Sequence, residues 1–181
     1  LVRLWGGTPS GIAVAVVGTA VGSPLWSYAS TLFAEPLLAL SLAGALALSV
    51  GAGRAAGRRA AALAAGAGLV AGWAVLTKGL ALALVPFVLL PLVLDAPRPS
   101  RLRNAAAAAA GLVPTLGAWL ALELARFGAP FTSYGGQGFT HPVLDGLWRL
   151  TVGPNKGLVL YFPLCVLGAV GSITQCFAQR G

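Results

Sequence analysis

The sequence predicts an all-α protein, a polytopic transmembrane bundle of about six spans. Three observations carry that prediction. The chain of 181 residues is 57% hydrophobic and only 9% charged, where soluble domains carry about 25% charged residues. Its apolar residues fall in continuous runs, not in the alternating segments of about ten residues that build a membrane β-barrel. Its arginines cluster in short polar breaks between those runs, as in the loops of helical membrane proteins. A water-soluble fold of this length has too little interior to hide so much apolar surface.

The runs follow in order. Leu4 to Val21 is interrupted by Pro9 and several glycines and reads as the end of a helix. Thr31 to Val50 has the length of a full span, about 20 residues. Ala60 to Leu76 and Gly79 to Leu94 are shorter and meet at Lys78 as a tight hairpin. Ala105 to Ala125 is a further span, with a kink expected at Pro114. Gly157 to Ile173 is the last. Gly18 with Gly22, and Gly68 with Gly72, have the small-residue spacing that lets helices pack closely, within one bundle or between copies. The domain reading is one partial transmembrane domain over 1–174, with an outer loop over 127–156 and a polar tail over 175–181. The chain starts at Leu1 and contains no methionine, so it reads as a fragment of a longer polypeptide.

Charge sets the orientation. Arg54, Arg58 and Arg59 follow one span and Arg98, Arg101 and Arg103 follow another, which makes both loops cytoplasmic by the positive-inside bias. Arg3 and Arg180 then fall inside as well. The turn at Lys78 and the segment from Phe127 to Lys156 fall outside. The net charge of +8 thus reads as loop charge, not as a nucleic-acid surface. Cys165 and Cys176 show no metal-ligand spacing and no disulfide framework.

Few polar residues break the pattern. Glu35 stands near the start of its span beside Pro36, where both the proline and a carboxylate are tolerated. It reads either as a boundary acid or as a carboxylate facing an outer cavity, able to bind a metal, a sugar hydroxyl or an amine. Lys78 reads either as a snorkelling anchor or as an anion site. Glu123 and Arg126, three apart on a helix, are expected to pair. The stretch from Phe127 to Pro142 carries glycines, prolines and aromatics, including Tyr134, and has the length of a functional loop. His141 is the sole histidine, a hydrogen-bonding residue or a base. Val143 to Thr151 fits a short interfacial helix, with Leu144, Leu147 and Leu150 on one side and Asp145 four residues from Arg149. Arg149 and Lys156 would lie at phosphate level.

These residues carry a resemblance. Thr31-Leu32-Phe33-Ala34-Glu35-Pro36-Leu37, Leu76-Thr77-Lys78-Gly79 with Pro86, and the loop from Phe127 to Thr140 followed by Gly153-Pro154-Asn155-Lys156-Gly157-Leu158 and Tyr161-Phe162-Pro163-Leu164 are the relevant stretches. Together they resemble membrane-embedded glycosyltransferases that use polyprenyl-phosphate sugars. That is the GT-C superfamily, which includes the bacterial aminoarabinose transferases and the protein O-mannosyltransferases. The chain departs from the family's "SPGKGL" stretch at Gly153 and Asn155.

The resemblance implies an integral protein of the bacterial plasma membrane. It would move a sugar from a polyprenyl-phosphate donor to a glycan, lipid or protein acceptor on the extracytoplasmic face. It implies Lys78 as the phosphate ligand, with Arg149 and Lys156 as weaker candidates, and Glu35 as an acceptor or metal contact. Tyr134 and His141 complete the substrate-binding candidates. A divalent metal is the candidate cofactor. The family's catalytic aspartate would lie in an outer loop upstream of Leu1, so the fragment is expected to be inactive alone. A transporter or flippase, or a membrane subunit without chemistry, is the alternative.

Overall fold

The computed structural model describes residues 7–21, 23, 34–130 and 142–154, and the single positions 159, 166, 168, 170, 171 and 174. The described residues are helical, with no strand among them. They fall into two compact units. One comprises Leu1–Thr8 and Phe33–Gly135, the other Pro9–Leu32 and Gly136–Gly181. The second holds α1 (Pro9–Val21) and, as treated below, α7 (Val143–Thr151).

The first unit is built on a helical hairpin. Helix α2 (Glu35–Arg54) starts with Pro36 in its first turn, where a missing N–H costs nothing. Only the extended residues Ala55 and Ala56 separate it from α3 (Gly57–Thr77). So short a link forces the two helices to run antiparallel. Gly57 closes the turn at φ +57, a left-handed conformation that side-chain-bearing residues adopt only with strain.

The chain then returns through a broken segment. Gly79–Leu84 winds as a 3₁₀ helix, followed by α4 (Val85–Leu89) and α5 (Pro91–Leu94). The expected single span over this stretch is therefore corrected. Pro86 and Pro91 each remove a backbone donor and crowd the carbonyl one turn earlier, so no continuous α-ladder can form. The tighter winding has a geometric use. Sixteen residues of straight α-helix reach about 24 Å, and winding six of them as 3₁₀ adds about 3 Å.

Helix α6 (Arg98–Phe127) follows and is the longest. It contains Pro114 and ends at Gly128, which adopts φ +74 and donates its N–H to the Leu124 carbonyl at 3.0 Å. It runs parallel to α3, and small residues set the contact. A methyl at Gly68 would run into the Ala108 carbonyl, one at Gly72 into the Thr115 hydroxyl, and one at Gly111 into the Ala65 carbonyl. The spacing of Gly68 and Gly72 is thus used for packing inside this unit. Gly22 lies outside the described residues, so the Gly18 pair has no counterpart to report.

The core is correspondingly thin. Ala45, Ala71, Ala74, Val75, Ala81, Val85 and Trp119 pack at one level, and Ala52, Ala64, Leu92 and Ala108 at another. Large apolar side chains point outward instead, among them Leu40, Leu69, Phe87 and Val113. That inversion suits lipid, where packing of small residues, not burial of large ones, holds helices together. Among the described residues three helices, α2, α3 and α6, are long and apolar enough to cross a membrane. Pro9–Val21 and Gly79–Leu94 are apolar but shorter. The expectation of about six spans is met by three among the described residues, with 4–6 and most of 157–173 outside them.

Candidate functional site

The topology sorts charge to opposite ends of the first unit. α2 runs from Glu35 to Arg54, while α3 runs the other way, from Arg58 and Arg59 to Lys78. α6 runs with α3, from Arg98 to Arg126. One end therefore carries Arg54, Arg58, Arg59, Arg98, Arg101 and Arg103. The other carries Glu35, Lys78, Glu123 and Arg126.

At the second end Lys78 closes α3 in an extended conformation. Its N–H donates to the Ala74 carbonyl at 3.0 Å, and its own carbonyl accepts from Ala81 N–H at 2.8 Å. The backbone is thereby tied to both the helix before and the 3₁₀ turn after. The next residue, Gly79, leaves room for Trp119 of α6, since a methyl there would lie 3.2 Å from the indole Nε1. Trp119 is buried. The lysine is thus mounted on three elements: α3, the 3₁₀ turn and, through its neighbour, α6.

Its ammonium meets Glu35. Lys78 Nζ donates to Glu35 Oε1 at 2.9 Å, forming an ion pair between the start of α2 and the end of α3. The two side chains are 33% and 34% exposed, so the pair sits at a boundary and not in the interior. About a third of each side chain stays exposed, which keeps the desolvation cost moderate. Glu35 also occupies the first turn of α2, where the helix dipole favours a negative charge. Its second oxygen, Oε2, is buried and has no hydrogen-bond partner. That oxygen is an acceptor still waiting for a donor.

Glu123 does not behave as expected from its spacing to Arg126. The two form no ion pair, and Glu123 Oε2 is buried and unpartnered. The reason is the face each occupies: Glu123 is half-buried, whereas Arg126 is exposed. Three residues on an α-helix leave two side chains about 60° apart, enough for Glu123 to turn partly inward while Arg126 stays at the surface.

The remaining candidates divide differently. Arg149 lies on α7 in the second unit and donates through Nε to Asp145 Oδ2 at 2.8 Å. α7 is the amphipathic helix its sequence predicts, with Leu144, Leu147, Trp148 and Leu150 exposed. Tyr134, His141 and Lys156 lie outside the described residues. The surroundings of Glu35 do not fit a divalent cation. Its near neighbour is an ammonium, and among the described residues no group of three or more His, Cys, Asp or Glu side chains is placed to hold a metal.

What the sequence reading missed is the pairing of Glu35 with Lys78. The signal was available in the arm lengths of the hairpin. Glu35 stands 20 residues before Ala55 and Lys78 stands 22 after Ala56, so a two-residue turn brings them level. No protein-family model matches this chain, and neither a curated protein nor a solved structure matches it.

Proposed function

We propose that this chain is part of an integral membrane glycosyltransferase, a multi-pass protein of the bacterial inner membrane. It would transfer a sugar from a polyprenyl-phosphate donor to an acceptor at the extracytoplasmic face. The observation that carries the reading is the boundary ion pair of Lys78 and Glu35, at the end of the bundle opposite the arginines. Lys78 offers a rigidly mounted ammonium where a lipid-linked phosphate would sit, and such a cation offsets the charge that develops on a phosphate leaving group. Glu35 Oε2 offers an acceptor to a sugar or acceptor hydroxyl. The arginine end would face the cytoplasm.

The test separates a phosphate ligand from a structural pin. In the full-length protein, Lys78→Ala should lower affinity for a polyprenyl-phosphate sugar at least tenfold while the protein still inserts. The exchange Glu35→Lys with Lys78→Glu should keep the ion pair and the fold yet lose donor binding. Donor binding that survives both changes overturns the proposal.

One observation favours a second reading. The run after Lys78 is a broken helix, and broken helices beside a charged residue recur in transporters. Flux of a lipid-linked sugar across vesicles, without any transferred product, would establish that reading instead.

A further inference from the structure

The arginine end has a feature that orientation alone does not explain. Arg58 and Arg59 sit in the first turn of α3, and Arg98 and Arg101 in the first turn of α6. A helix N-terminus carries the positive end of the dipole, so cations there are unfavourable. Neither first turn contains an acid, and neither N-cap residue, Ala56 or Pro97, offers a side-chain hydrogen bond. The unmet N–H groups of α3 therefore point into this cationic zone, whereas at α6 Pro99 has no N–H and Ser100 N–H donates to the Pro97 carbonyl at 2.9 Å.

Neighbouring groups do little to relieve this. Arg54, Arg58, Arg59, Arg98 and Arg103 are exposed, and Arg101 donates to the Ala96 carbonyl at 3.0 Å. Arg58, Arg59, Arg98 and Arg103 form no ion pair among the described residues. The acid at this end is Asp95, which packs against Gly53 and leaves Arg58, Arg59, Arg98 and Arg103 facing one carboxylate. Just beyond, the surface becomes apolar: α6 continues from Ala105 as membrane-type sequence. A cationic rim directly bordering a lipid-facing belt matches one occupant by charge and by place.

We propose that this end is a seat for anionic phospholipid headgroups, held by Arg58, Arg59, Arg98 and Arg103. Phosphates of the leaflet lie between the arginines and accept from their guanidinium forks and from the open N–H groups at the start of α3. The lipid supplies the negative charge that capping residues supply elsewhere. This seat is separate from the Lys78 site and does not depend on the function proposed for it.

The experiment uses the whole chain in nanodiscs of phosphatidylcholine alone or with phosphatidylglycerol, with native mass spectrometry reading the lipids retained. The wild type should retain phosphatidylglycerol preferentially. Arg58→Gln with Arg59→Gln should weaken that preference about fivefold per arginine removed. Lysine at both positions should keep most of it. In neutral detergent the glutamine variant should melt no lower than the wild type, since a dipole conflict has been removed, which separates lipid loss from misfolding. Equal lipid retention by wild type and glutamine variant overturns the proposal. So does equal stabilisation by inorganic phosphate without lipid, or tighter binding of a single-stranded oligonucleotide than of phosphatidylglycerol.

Discussion

The two ends of the helical unit solve the problem of charge beside lipid in opposite ways. At the Lys78 end the charges are mixed. Glu35 begins a helix, Lys78 ends one, and the two meet at 2.9 Å. Each sits where the dipole of its own helix favours it. At the other end arginines outnumber the one acid, Asp95, and four of the six sit in helix first turns, where the dipole opposes them. The first end holds its own counter-charge, with two carboxylate oxygens, Glu35 Oε2 and Glu123 Oε2, left unpartnered. The second has one acid, Asp95, for its arginines, and the lipid seat proposed above would supply the rest. Self-sufficiency at one end and dependence at the other is the difference that matters. It suggests a site for occasional occupancy above and a permanent contact with the surroundings below.

The comparison rests on α3 and α6 lying parallel, and the largest expected effect comes from breaking that. Gly68→Leu places a side chain where the Ala108 backbone lies, and no rotamer avoids it. A loss of about 3 kcal/mol or more is expected, read as a fall in melting temperature in detergent. A variant that melts like wild type would mean the helices are not in this register. A smaller effect should come from the mixed end. Glu35→Ala leaves Lys78 without its carboxylate and should lower the melting temperature far less than Gly68→Leu, because the pair is one-third exposed. Lys78→Ala should cost about as much, and the double variant little more than either single one. Full additivity would show that the pair is not coupled. The smallest effect should carry the opposite sign. Arg58→Glu in neutral detergent exchanges an opposed charge for a favoured one at the start of α3 and should stabilise by about 0.5–1 kcal/mol. Destabilisation in that setting would mean the arginine already has its counter-charge within the chain.

Much of this arrangement was legible in the residues. The long spans followed from apolar runs bounded by arginines. The start of α2 followed from Pro36, and α7 followed from the spacing of Leu144, Leu147 and Leu150. The close-packing role of Gly68 and Gly72 was among the readings their spacing allows. Other features were not legible, for definite reasons. The link from Glu35 to Lys78 crosses 43 positions and exists only through the length of the turn between their helices. Local patterns do not report such distances. The run from Gly79 to Leu94 has the hydropathy of a span, and its composition hid the effect of two prolines on the backbone ladder. Glu123 misled because spacing says which residues neighbour one another along a helix, not which way the helix is turned.

The two-residue link between α2 and α3 also limits how the hairpin can move. With only Ala55 and Ala56 to bridge them, neither helix has slack to slide along the other. Glu35 and Lys78, at the far ends of the two arms, are therefore held level by the turn at the opposite end.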